Sequence, residues 1–189
     1  MRRFLAVAVP AALLFGCSSP AVRVRAPEPT SPTNGSLAAR VFIQGGWFSA
    51  FKPYSLTFQR LKADGKPEEE AFVSNFRSGD NVYLLDVLPG RYVPVSVRFM
   101  RQNNSRDIEI PENLRKDLGV EVRSGEVVFA GLLNFAVRGR AGKKSVFTGR
   151  DVSKEAEIAA LDAALQDLDG TLWRDAVSRR RDALGPSES

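Results

Sequence analysis

Histidine is absent from the 189-residue sequence, and cysteine occurs once, as Cys17. Without histidine, the chain lacks the commonest general base and the commonest metal ligand of proteins. A single cysteine excludes an internal disulfide and leaves no material for a zinc-binding cluster of thiolates. We therefore expect no metal, no cofactor and no enzymatic activity.

A long hydrophobic run is also missing. The longest apolar stretch, FLAVAVPAALLFG, spans residues 4–16, whereas a membrane-spanning helix needs about 20 residues. Because Arg2 and Arg3 precede this stretch, it has the charged start and the short apolar region of a secretory signal. The sequence therefore predicts a signal peptide over residues 1–16.

Leu14-Phe15-Gly16-Cys17, at the end of that stretch, resembles the lipobox of bacterial lipoproteins. The resemblance implies that the sulfur of Cys17 receives a diacylglycerol, that the peptide before it is removed, and that the new amino group is acylated. Two or three acyl chains make a lasting anchor, since each buried methylene contributes about 0.8 kcal/mol. The alternatives are a cleaved signal peptide with an incidental cysteine, or an uncleaved core helix. We expect Cys17 to be a lipidation site that joins the protein to a membrane.

Ser18 follows the cysteine, which is similar to the pattern that favours sorting to the outer membrane in many diderm bacteria. The expected location is the cell envelope, at the outer membrane and facing the periplasm. Residues 17–36 are rich in proline, serine and threonine, and this composition predicts an extended, flexible tether.

The charge of the chain does not favour a nucleic-acid partner. There are 27 basic and 22 acidic residues, a net charge of +5, and removal of Arg2 and Arg3 with the signal leaves 25 basic residues, or +3. Binding to nucleic acid usually needs a clustered basic face. We therefore expect no nucleic-acid partner.

Apolar and polar residues alternate through residues 37–150, as they do in strands whose side chains point to opposite faces in turn. The clearest strand runs from Tyr92 to Phe99, with Val93 and Val97 on one face. Pro94 predicts that this strand lies at the edge of a sheet, because proline cannot donate a hydrogen bond to a neighbouring strand.

A second clear strand runs from Glu126 to Arg138, with Val127 and Leu133 predicted on the same face. Ser124-Gly125 predicts a tight hairpin that joins it to Val120–Arg123. Shorter candidate strands are Ala39–Gln44, Tyr54–Gln59, Ala71–Phe76, Asn81–Val87 and Ser145–Gly149.

NVYLLDVLPGRYVPVSV (residues 81–97) and VEVRSGEVVFAGLL (residues 120–133) resemble the strands, the L-P-G-x-Y turn and the G-E-V-V hairpin of small prealbumin-like β-sandwiches. Such sandwiches occur in carboxypeptidase-regulatory-like domains and in uncharacterised bacterial lipoproteins. The resemblance implies a fold and not an activity. The polar stretch 103–117 departs from the pattern and reads as an insertion. The predicted fold class is mainly β, a small prealbumin-like β-sandwich of about seven strands over residues 37–150, followed by one long or broken amphipathic helix.

The spacing of apolar residues changes after residue 150. A stripe spaced by three or four residues predicts an amphipathic helix: Ile158, Leu161, Leu165, Leu168 and Leu172. Ser153 or Asp151 is expected to cap its start, and Asp169-Gly170-Thr171 to break it, with Thr171 capping a second piece. The stripe packs on the β-domain or on the helix's own second half, or it binds a partner, because the spacing is heptad-like. We expect this helical appendage over residues 151–185 and a disordered tail at 186–189.

Four aromatic residues, Trp47, Phe48, Phe51 and Tyr54, cluster beside Gly45-Gly46. An exposed aromatic patch suits sugar rings or a partner protein, whereas the alternative is that these residues cap the sandwich core.

A basic loop, RGRAGKK, contains Arg138, Arg140, Lys143 and Lys144. These residues are candidates for contact with anionic lipid headgroups or an anionic cell-wall polymer. The alternative is a solvated hairpin loop.

Motifs of catalysis are weak. Ser49-Ala50-Phe51-Lys52 matches the S-x-x-K nucleophile motif of penicillin-binding enzymes, but no K-T-G follows it. The carboxylates at 68–70 and at Asp107, Glu109 and Glu112 lie in charged stretches that are typical of solvated surface. The sequence therefore favours a lipid-anchored, non-catalytic binding or assembly module for another envelope protein. The alternative is a carbohydrate- or peptidoglycan-binding lipoprotein that uses the Trp47–Tyr54 patch.

Overall fold

The structure, a computed structural model, describes residues 26–44, 51–102, 104–138 and 144–185. Strands dominate these residues, so the fold is mainly β, as the alternation predicted. The strands are β1 (Gly35–Gln44), β2 (Lys52–Leu61), β3 (Pro67–Val73), β4 (Phe76–Ser78), β5 (Asn81–Val87), β6 (Gly90–Arg101), β7 (Asn104–Glu109), β8 (Val120–Val122), β9 (Val127–Arg138) and β10 (Lys144–Asp151). The helices are α1 (Glu112–Arg115), α2 (Lys154–Asp167) and α3 (Trp173–Leu184), and a single 3-10 turn follows α1.

The strands in these ranges number ten, so the prediction of about seven was wrong. The stretch 71–76, expected as one strand, is divided between β3 and β4, which belong to different sheets. β7 lies in the polar stretch that reads as an insertion. The sequence did not predict β7, because it is an edge strand with one buried residue, Ile108, and so lacks an alternating apolar face.

Two sheets form a sandwich. The first has the strand order β10-β9-β1-β5-β4, and the second has β3-β2-β6-β7 with β8 also paired to β6. β1 runs parallel to β9 and antiparallel to β5. The expected hairpin between residues 120–123 and Glu126 does not form, because the turn at Gly125 carries the chain from β8 in the second sheet to β9 in the first.

β6 is an internal strand, which corrects the edge position predicted from Pro94. One side of β6 pairs with β2, and the other pairs with β8 at Gly90–Tyr92 and with β7 from Ser96 onward. Pro94 lies between those last two pairings and next to a shift of register against β2. Proline is tolerated there because the ladder is interrupted on one side and bulged on the other.

The main core fills the space between the sheets. Its largest fully buried side chains include Phe58, Tyr92, Phe99 and Phe135. The ring of Phe135 meets Phe99 edge to face at 5.6 Å and Phe147 at 5.4 Å between centroids. This arrangement is favourable for aromatic pairs and joins β6, β9 and β10 in one cluster.

Helices α2 and α3, here called the helix layer, cover the other face of the first sheet. Leu161, Leu168 and Val177 are fully buried there against Tyr83 and Leu85 of β5. The buried Tyr83 hydroxyl donates to Asp167 at 2.6 Å, which ties the end of α2 to the sheet. The stripe predicted on this helix therefore packs both on the β-domain and on the second half of the appendage, where Trp173 and Val177 of α3 belong to the same cluster. Its last member, Leu172, is 67% exposed.

The helical appendage is broken where the sequence predicted. Ser153 caps α2 by accepting from the Ala156 N–H, and Gly170 (φ +73°) lies between α2 and α3. Thr171, however, does not cap α3, because its hydroxyl donates to the Leu168 carbonyl at 2.7 Å instead. The same carbonyl also accepts from the Thr171 N–H at 3.1 Å, so Thr171 closes the turn after α2 with both its backbone and its side chain.

Residues 26–34, here called the strap, contact the helix layer at their start and β5 further on, although the sequence predicted a flexible tether as far as residue 36. Ala26 is buried, and the Pro27 carbonyl accepts from the Trp173 indole N–H at 2.7 Å. A carboxylate oxygen of Glu28 accepts from the Leu172 N–H at 3.0 Å. An acidic group is favourable there because the first N–H groups of a helix are unpaired and its dipole is positive.

The strap is held at its other end by Asp86 of β5. The Asp86 carboxylate accepts from the Thr30 N–H at 2.9 Å, the Thr30 hydroxyl at 2.7 Å and the Asn34 amide at 2.8 Å. Partial desolvation favours a higher pKa for Asp86, but the hydrogen bonds from Asn34 and Thr30 outweigh it and hold the pKa below its usual value. The described fold therefore includes the strap, whereas the sequence placed its boundary at residue 37.

None of the helices in the described ranges is both long enough and apolar enough to cross a membrane.

Candidate binding site

A pocket of about 250 Å³ opens where β1 ends and β2 begins. Its walls are mostly apolar, because these strands bring core-facing residues to the end of the sandwich. The lining residues are Val41, Phe42, Ile43, Gln44, Phe51, Lys52, Pro53 and Asp80.

Phe42 is the exposed apolar residue of this pocket. It lies on the face of β1 that also presents Arg40 and Gln44, and its side chain is 47% exposed. Nearer the start of β1, Ala38 on the same face is buried under the helix layer. The helix layer therefore covers only part of this face and leaves Phe42 accessible.

An ion pair lies in the pocket wall. The Lys52 ammonium contacts the Asp80 carboxylate at 3.1 Å, and the Lys52 side chain is 60% exposed. An exposed pair contributes at most about 1 kcal/mol to stability. Its effect is to place charge of both signs beside an apolar surface.

Tyr54 lies one residue beyond the pocket wall at Pro53. Its ring is 44% exposed, and the Arg77 guanidinium lies 4.8 Å from its centroid. Arg77 also donates to the Pro53 carbonyl at 3.3 Å. A cation–π contact of this kind stabilises both side chains and covers one face of the ring.

The structure separates the described members of the predicted aromatic patch. Phe51 is 9% exposed and belongs to the core cluster, as the capping alternative stated, while Tyr54 is exposed. Trp47 and Phe48 lie outside the described residues.

The other predicted site residues are described little or not at all. Cys17, Arg140 and Lys143 lie outside the described residues. The backbones of Arg138 and Lys144 pair with each other across β9 and β10.

Two of the carboxylates considered for catalysis are in exposed ion pairs. Asp107 accepts two hydrogen bonds from Arg98, at 2.7 and 2.9 Å, and these hold the pKa of Asp107 below its usual value against partial desolvation. Glu109 contacts Arg115 at 3.3 Å. Among the described residues, no group of three or more acidic or thiol side chains is arranged to hold a metal ion.

Phe42 and Asp80 were missed by the sequence reasoning. The signal for Phe42 was present, since a large aromatic side chain between Arg40 and Gln44 interrupts the polar face of β1. Asp80 carried no signal, because its approach to Lys52 depends on long-range contacts: the Val41 N–H of β1 donates to the Asp80 carbonyl at 2.9 Å, and Lys52 lies in β2 of the other sheet.

Comparison with protein-family models and with curated proteins finds no match for this chain.

Proposed function

We propose that this chain is a lipoprotein of the bacterial cell envelope, anchored through Cys17 at the outer membrane and facing the periplasm. Its prealbumin-like β-sandwich is a non-catalytic binding or assembly module for another envelope protein. The anchor rests on the run from Leu14 to Cys17. The prealbumin-like likeness rests on the L-P-G-R-Y turn, in which the Tyr92 hydroxyl donates to the Leu88 carbonyl at 2.8 Å.

The observation that carries the binding role is the apolar pocket whose lining includes the exposed Phe42. A volume of about 250 Å³ is below the roughly 300–1,000 Å³ of sites for small molecules and cofactors. It suits one apolar side chain of a partner protein. A pocket beside an exposed aromatic residue, with charges at its margin, is also the usual form of a protein interface centre.

A carbohydrate or peptidoglycan ligand is the second candidate, and the exposed ring of Tyr54 favours it. Sugar rings stack on open aromatic faces and need polar groups for their hydroxyls. Arg77 covers one face of Tyr54, and the nearby pocket walls are mostly apolar. These features favour the protein partner over the sugar.

The anchor is tested by intact-mass measurement on the mature protein extracted from membranes with detergent. We expect a chain that begins at Cys17 and carries acyl groups, because the lipobox directs both cleavage and lipidation. Cys17→Ser should release the protein from the membrane. A mature chain that begins beyond Ser18 and carries no lipid would contradict the proposed anchor.

The binding role is tested with Phe42→Ala. We expect an envelope protein to co-purify with the native lipoprotein and to bind the variant at least about tenfold more weakly, as for loss of a central interface side chain. Stability should change by about 0.5 kcal/mol or less, since the residue is half exposed.

Leu88→Ala is the matched control, because Leu88 is 58% exposed and lies in the turn before β6, away from the pocket. This variant should bind like the native protein. The protein-binding role is excluded if no protein co-purifies while the domain is retained on cell-wall polysaccharide and loses that retention on Trp47→Ala.

A further inference from the structure

The strap shortens the connection between the proposed anchor and the fold. Ala26, the first residue of the strap, is buried and lies nine positions after Cys17 in the sequence. A fully extended chain spans about 3.3–3.6 Å per residue, so this connection reaches at most about 30 Å. If the strap were free, the connection would run to Gly35, which lies 18 positions after Cys17, and its reach would be about 60 Å.

The place where the strap begins is also defined. The contacts of Pro27 with Trp173 and of Glu28 with Leu172 put its first residues at the start of α3. The helix layer lies on one face of the first sheet, and the second sheet lies on the other. The short connection therefore leaves from the helix layer and not from the second sheet.

We infer that the helix layer faces the bilayer and that the second sheet faces away from it. This inference rests on the proposed lipid anchor, and its partner is the lipid headgroup surface. The orientation follows from the length of the connection and from the point where it leaves the fold.

Electrostatic attraction does not provide this orientation. Residues 154–185, which include the whole helix layer, contain five basic and seven acidic side chains. Three of the arginines are in ion pairs within the layer, Arg174 with Asp169, Arg180 with Glu157 and Arg181 with Asp162. A surface with this balance has no net attraction to anionic lipid. The orientation is therefore expected to be the same on neutral and anionic membranes.

The test uses the full lipoprotein in vesicles of neutral phospholipid, with a short-range fluorescence quencher attached to the headgroups. Because the sulfur of Cys17 is acylated, one introduced cysteine is the only thiol available for a fluorophore. Leu172→Cys labels the helix layer near the strap, and Ser105→Cys labels an exposed position on β7 of the second sheet. We expect strong quenching at residue 172 and weak quenching at residue 105, unchanged when anionic lipid is added.

A further variant isolates the length of the connection. Nine glycine and serine residues inserted between Arg25 and Ala26 leave the strap in place but double the reach to about 60 Å. This insertion should remove most of the difference between the two labels. Equal quenching of the two labels in the lipidated chain without the insertion would overturn the inferred orientation. It would not contradict the lipid anchor. A chain without lipid on Cys17, detected by its mass, overturns the anchor and with it the inference.

Discussion

Phe135→Ala is expected to lower the free energy of unfolding by about 4 kcal/mol, in the range found when a buried phenylalanine is truncated. Phe135 is 1% exposed and its ring contacts both Phe99 and Phe147. Truncation removes apolar burial, leaves a cavity that rigid neighbouring strands fill poorly, and removes two edge-to-face contacts. A loss of this size is a large share of the 5–15 kcal/mol that stabilises a typical domain.

The measurement is equilibrium unfolding in urea of the mature chain carrying Cys17→Ser, followed by fluorescence and circular dichroism. Phe42→Ala is the matched control, because it makes the same substitution at a phenylalanine that is 47% exposed. Its cost should be about 0.5 kcal/mol or less. Equal costs for the two variants would show that Phe135 is not in the core.

Gly35→Ala is expected to destabilise the protein by about 3 kcal/mol, the upper part of the usual range for overpacking. A Cβ at residue 35 would lie 2.5 Å from the Arg123 carbonyl oxygen and 2.6 Å from a methyl carbon of Val122. The Arg123 atom belongs to the backbone next to β8, so it cannot turn aside as a flexible side chain does. The start of β1 would have to separate from the turn that joins β8 to β9.

Gly149→Ala is the control for this substitution. Gly149 also lies in a strand of the first sheet, but a Cβ there meets no atom within 4 Å and its φ is an ordinary one. We expect a change within about 0.5 kcal/mol in the same urea experiment. If Gly35→Ala lowers the free energy of unfolding no more than Gly149→Ala does, the close contacts described for a Cβ at residue 35 are wrong.

The alternation of apolar and polar residues predicted the positions of the strands well. It predicted less well which face of the sheet each side chain occupies. In β9, the register against β1 shifts between Phe129 and Gly131. As a result Val127 packs under the helix layer, whereas Leu133 packs in the main core, although the two were predicted on one face. A bulge shifts the alternation of side chains by one residue, so that residues beyond it point to the opposite face. No residue type predicts the position of a bulge reliably.

The same cause limited the prediction for β6. Val93 and Val97 were expected on one face, but only Val97 belongs to the main core, where it is joined by Tyr92 from the other predicted face. The stretch between them contains the register shift beside Pro94. The helical stripe was predicted better, because α2 carries no comparable irregularity between Ile158 and Leu168.

Prediction of the candidate site was limited by long-range contacts. Local sequence indicated an aromatic cluster between residues 47 and 54, and within it Phe51 lines the pocket. Phe42 comes from β1 and Asp80 from the turn between β4 and β5, and only long-range contacts in the fold bring them to the same place. The strap was missed for a related reason. Its proline-rich composition indicates a loose chain, whereas its contacts are with α3, near the opposite end of the sequence.

The parallel pairing of β1 with β9 is expected to form late in folding. Ser36 of β1 pairs with Val127 of β9, so the centre of the first sheet joins segments that are far apart in the chain. Closing so long a loop costs conformational entropy before the contacts form, and such pairings slow folding. During synthesis the N-terminal strands leave the ribosome first. β1 can then pair with β5 early, but its other edge stays unpaired until β9 has been synthesised. During that interval β1 presents an unpaired apolar edge, and a chaperone that shields such edges would protect the nascent protein from aggregation.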